Sequence, residues 1–86
     1  MPAEESVVEW SRHAREMLKE RGIQEDWVLE TLQSPDRYEK GPGGQDYYIK
    51  SIPEYGGRFL RVVVNRNVSP NRIVTVFFDR RLGRKQ

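Results

Sequence analysis

The apolar positions of this chain change period once. Up to Pro35 they recur every three or four residues, and beyond it they alternate. Val7, Val8 and Trp10 form a short apolar stretch that predicts an edge strand. Ser11 follows as a helix N-cap, and Trp10, Ala14, Met17 and Leu18 share one stripe running into residues 12–21. Lys19 and Arg21 stand in the last turn, where cations suit the helix dipole, and Gly22 with Ile23 predicts a Schellman stop. A second helix starts near Glu25, with Glu25 and Asp26 in its first turn. Gln24 is a poor cap there, but Ile23 and Val28 are spaced as a hydrophobic staple. Trp27, Val28 and Leu32 supply the buried side. Ser34-Pro35 ends the helix, because the residue before a proline avoids the α region.

After Pro35, residues 37–40 predict a weak strand and Gly41-Pro42-Gly43-Gly44 a loop. Residues 46–52 predict a strand closed by Pro53, and Tyr55-Gly56-Gly57 a turn. A β-branched strand follows over 58–65, a turn over 67–71, and a last strand over 72–79. The expected fold is α+β: a short N-terminal strand and two helices packed on one face of a three- to four-stranded antiparallel meander. It forms one domain over 1–86, with 1–6 and 80–86 as fraying tails. Alternation assigns Leu60, Val62, Val64, Val74, Val76 and Phe78 to the helix-facing core. The opposite face carries Phe59, Arg61, Val63, Ile73, Thr75 and Phe77. Aromatics mixed with an arginine and a threonine suit a shallow binding surface or an interface.

Composition narrows the chemistry. The chain has no cysteine, which excludes disulfides, thiolate metal sites and a cysteine nucleophile. Its one histidine excludes a two-histidine acid/base pair and a His-rich zinc site, so neither metal nor cofactor is expected. No apolar run reaches the roughly 18 residues of a membrane span, and the acidic start Met1–Glu5 has no apolar signal region. A cytoplasmic protein without a membrane partner is the expectation.

Charge is uneven. Residues 1–43 hold six Lys/Arg against ten Asp/Glu, a balance of −4, while residues 44–86 hold nine against three, a balance of +6. A basic half rich in arginine fits contacts to phosphate or carboxylate, from a nucleic acid or an acidic protein. It equally fits a sheet that complements acidic helices within the same molecule. Candidate contacts are Arg21, Arg58, Arg61, Arg66, Arg80 and Arg81, interleaved with Tyr38, Tyr47, Tyr48 and Tyr55, which suit base stacking but are accounted for more simply by sheet propensity. His13 falls in the first turn of the first helix, where the dipole disfavours its protonated form, and a neutral imidazole is competent as a general base. The plainer reading of His13 is a boundary residue bonded to a neighbouring Glu.

Ser11-Arg12-His13-Ala14, Arg21-Gly22-Ile23, Val28, Ser34-Pro35-Asp36, Leu60-Arg61-Val62-Val63-Val64 and Ile73-Val74-Thr75-Val76 together resemble the family named domain of unknown function 4258. The resemblance spans about residues 7–79. One departure is Met17, where the family usually places an arginine. The order of elements is similar to the RelE-type toxin fold, which implies RNA lying across an open sheet face and metal-free cleavage through the 2′-hydroxyl. On that implication His13 acts as base or acid. Arg61 stabilises the phosphate, Thr75 orients an oxygen, and Arg21, Arg58, Arg80, Arg81 and Tyr48 hold RNA. The implied partners are RNA or the ribosome, and an acidic antitoxin-like protein. The alternative is a module with no nuclease activity, in which the same arginines contact a partner and His13 is structural.

Overall fold

The structure, a computed structural model, describes residues 8–80. A two-residue strand, β1 (Glu9–Trp10), leads into helix α1 (Arg12–Arg21) through Ser11. The Ser11 hydroxyl accepts from the Ala14 N–H at 3.0 Å and donates to the Val74 carbonyl at 2.8 Å. One side chain thus caps the helix and ties its start to the sheet. Gly22 stops α1 at φ 64°, a left-handed conformation that costs glycine little. The Ile23 N–H returns to the Leu18 carbonyl at 2.9 Å, as a Schellman ending requires. Helix α2 (Glu25–Gln33) has no side-chain cap at Gln24, and acidic Glu25 and Asp26 occupy its first turn.

Four further strands follow: β2 (Arg37–Lys40), β3 (Gln45–Ile52), β4 (Arg58–Asn65) and β5 (Arg72–Phe78). The sheet order is β1-β5-β4-β3-β2, antiparallel except where β1 runs parallel to β5. The α+β class is as the sequence predicts, but the sheet is five-stranded and mixed. β1 joins it because the Glu9 N–H reaches the Asn71 carbonyl at 2.8 Å and the Ser11 N–H reaches Ile73 at 3.0 Å. The strand itself is Glu9–Trp10 rather than the apolar stretch from Val7, which lies outside the described residues.

Ala14, Val28, Leu60, Val62, Ile73 and Val76 are sealed between helices and sheet, with Met17, Leu18, Trp27, Leu32, Tyr48 and Phe78 packed around them. The sequence assigned Val74 to this core and Ile73 to the opposite face. The structure exchanges them. Val63 pairs with Thr75 and Val64 with Ile73, so Val74 is an extra residue in β5. A bulge of one residue reverses the alternation beyond it. Among the described residues no helix is long and apolar enough to cross a membrane.

Candidate functional site

Both helices pack on one face of the sheet, so the other face is free of helices among the described residues. Register sets its side chains in rows across the strands. One row runs Arg37, Ile49, Arg61, Phe77, and the next runs Glu39, Tyr47, Val63, Thr75. Ile49 and Val63 are buried in this surface although they lie outside the helix-facing core. A shallow hollow of about 390 Å³ opens above β3, β4 and β5, lined chiefly by Tyr47, Arg61, Val74, Thr75, Phe77 and Asp79.

Arg61 organises the hollow. Its Nε and Nη2 both donate to Asp79 Oδ2, at 3.2 and 2.9 Å. Its Nη1 lies 3.6 Å from Glu39 Oε1, and the guanidinium sits 5.3 Å from the centre of the Tyr47 ring. Two carboxylates and a π-face therefore hold one cation whose side chain is 15% exposed. Tyr47 is fixed from below as well. A Cβ on Gly41 would lie 2.8 Å from its Cζ, so the glycine lets the ring rest on the backbone. Thr75 lines the same hollow.

The other site residues named from sequence do not converge here. His13 is exposed on α1, on the helix side of the sheet, whereas Arg61 faces the hollow on the opposite side. The two are not brought together. Arg21 is exposed at the end of α1, and Arg58 lies over the Tyr55 ring at 5.4 Å. Tyr48 packs against the helix-facing core and meets Tyr38 in a tilted ring contact at 5.3 Å. Burial and the nearby Asp46 carboxylate raise its phenol above the usual value. Arg80 is exposed just past β5, and Arg81 lies outside the described residues.

Asp79 and Glu39 were not singled out from sequence. The available signal was an arginine in mid-strand with an acid two positions beyond its cross-strand partner. Asp46 was missed too. It is 1% exposed, accepts from Tyr38 Oη at 2.7 Å, and has Arg66 Nε against Oδ2 at ion-pair distance but without hydrogen-bond geometry. Much of the basic half is thus matched internally: Arg61 by Glu39 and Asp79, Arg66 by Asp46, Arg72 by Glu9, and Lys50 by Asp36. Two further hollows follow the helices. One lies along α1 between Arg12, Arg15 and Lys19, the other along α2 between Asp26, Glu30 and Glu54, and His13 lines neither.

The family model described as "Domain of unknown function (DUF4258)" matches residues 10–78. No curated protein and no solved structure matches the chain.

Proposed function

From its place in the DUF4258 family, to which this chain belongs, and from its open sheet face, we propose that it binds single-stranded RNA across that face without cleaving it. The observation that carries this reading is the Tyr47–Arg61 contact in a hollow that no helix covers among the described residues, with Phe77 in the same cross-strand row as Arg61. Aromatic faces on an open sheet accept unstacked bases. Arg37, at the β2 margin of the face, supplies a phosphate contact. The resemblance to RelE-type folds, where RNA crosses the same kind of face, supports the ligand class. It is an analogy of fold, and function belongs to the site.

Cleavage gains no such support. A ribonuclease on the RelE pattern needs a base and a phosphate-stabilising cation about one substrate width apart. His13 is on the far side of the sheet, and Arg61 is already held by Asp79 and Glu39. This favours the non-nuclease alternative, with RNA rather than a protein as the ligand.

The test is fluorescence anisotropy with a labelled single-stranded RNA oligomer and its duplex, while the RNA ends are assayed for cyclic phosphate. The expected result is binding of the single strand, intact RNA, and a loss of about tenfold or more in Tyr47→Ala or Phe77→Ala. With one arginine contacting phosphate, the log–log salt slope should be shallow, about −0.7. No binding at low salt, or binding indifferent to both substitutions, overturns the proposal and leaves a protein partner. New cyclic-phosphate ends overturn its non-catalytic part.

A further inference from the structure

The outer edge of β2 is the clearest unpartnered feature of the described residues. We infer that this edge pairs antiparallel with β2 of a second copy of the chain, centred on Tyr38. The inference does not rest on the RNA reading.

Backbone direction comes first. In an antiparallel ladder the residues of one strand bond alternately to either neighbour. The Gly41 N–H bonds to the Gln45 carbonyl at 2.8 Å. Counting back along the register, Glu39 and Arg37 direct their backbone groups at Tyr47 and Ile49. Tyr38 and Lys40 therefore direct theirs outward. The Ser51 N–H agrees with this phase: it points towards β2 and is taken by Asp36 Oδ2 at 2.9 Å.

The sequence of the edge then selects a partner. Charged residues on an edge strand normally discourage pairing. Here Asp36-Arg37-Tyr38-Glu39-Lys40 is antisymmetric in charge about its centre. Turned about a twofold axis at Tyr38, Arg37 faces the partner's Glu39, and Lys40 lies towards the partner's Asp36, which precedes the strand and whose carboxylate also takes the Ser51 N–H. Every facing charged pair is then opposite in sign. Moving the centre to Arg37 or Glu39 sets like residues face to face. Moving it half a step sets Arg37 against the partner's Lys40, or Asp36 against the partner's Glu39. Of these registers only the Tyr38 one is free of repulsion, and it aligns the outward N–H and C=O of Tyr38 with those of the partner's Tyr38.

Exposure supports the same centre. All four residues of β2 are exposed, and Tyr38, at 48%, is more exposed than Tyr55, at 39%. The Asp36 and Gly41 N–H groups are already bonded to the Ile49 and Gln45 carbonyls, so the pairing has natural ends. Joined this way, two five-stranded sheets form one continuous sheet with both hollows on the same side.

So short an edge buries little area, and the dimer is expected to be weak and reversible. Sedimentation from about 1 µM to about 1 mM, with amide spectra over the same range, tests it. The expected result is a concentration-dependent dimer in which the Tyr38 and Lys40 amides shift most. Arg37→Glu alone should weaken it about tenfold, because it sets like charges opposite each other twice across the axis. Arg37→Glu with Glu39→Arg should restore it to within about threefold. Glu39 also approaches Arg61, so the amide shifts of the unsubstituted protein keep the test independent of how that variant folds. A monomer throughout the range, shifts at another surface, or a dimer unaffected by Arg37→Glu overturns the inference.

Discussion

Arg61 grips a single oxygen of Asp79 with two of its nitrogens, Nε at 3.2 Å and Nη2 at 2.9 Å. The acid lies two positions beyond Phe77, the cross-strand partner of Arg61, and so on the same face. Asp79 is 6% exposed, which makes this a buried pair in which loss of one partner costs more than the pair itself is worth. Arg61→Met should therefore destabilise by about 2–3 kcal/mol, with Asp79→Asn milder because a neutral amide is left behind. Urea denaturation of both singles and the double measures the coupling. A loss below about 0.5 kcal/mol for Arg61→Met would mean that water already screens the pair.

The Ser-x-His-Ala motif divides its labour unequally. Ser11 makes two hydrogen bonds and Ala14 is fully buried, while His13 faces solvent. Ser11→Ala removes both the helix cap and the link to Val74, and should cost about 1–2 kcal/mol. His13→Ala should stay within about 0.5 kcal/mol of the parent. Chemical denaturation compares them directly. A large loss at His13 with little at Ser11 would reverse this assignment.

Local signals were enough for most of the fold. The Ser11 cap, the Gly22 stop, the Pro35 break and the alternation of Leu60, Val62 and Val64 are each encoded within a few residues, and each stands in the structure as read. The Val74 bulge was not legible, because it depends on how β4 and β5 align and not on either strand alone. The same holds for β1, whose place beside β5 is a contact between residues more than sixty positions apart. For the site, sequence marked Arg61 and Thr75 on one face, as the structure does. It also set His13 on a helix and Arg61 on the face away from the helices, so their separation was legible, but the acids that hold Arg61 were not. Nor could it separate cations left for a ligand from those matched internally. Arg72 with Glu9 is a pair made only by the fold.

Gly41 offers a way to disturb the hollow without touching a residue that lines it. Its φ is −102°, which any residue adopts, so alanine meets no backbone penalty there. The added Cβ would instead fall 2.8–2.9 Å from three atoms of the Tyr47 ring, which must move. Gly41→Ala should cost about 1–2 kcal/mol as local overpacking and displace Tyr47 from beneath Arg61. The readout is the Tyr47 ring resonances together with RNA affinity, expected to fall about as far as in Tyr47→Ala. An unchanged ring environment would show that the loop yields instead.

Alkaline pH should loosen the β2–β3 hairpin in a way one substitution can expose. Tyr38 donates its hydroxyl to Asp46 at 2.7 Å, and this bond to a carboxylate is the main cause holding its phenol above the usual 10.0. Tyr48 is shifted the same way, first by burial and then by the same acid. Both phenols bind their protons more tightly folded than unfolded. Their contribution is therefore fully present below the unfolded value and is lost as pH rises through the higher folded values. Unfolding free energy should fall above about pH 10, with tyrosinate absorbance rising later in the folded protein than in urea. Tyr38→Phe removes the hydroxyl and should flatten part of that fall, at some cost in stability near neutrality. Parallel alkaline profiles for the two proteins would show that the hydroxyl of Tyr38 plays no part in it.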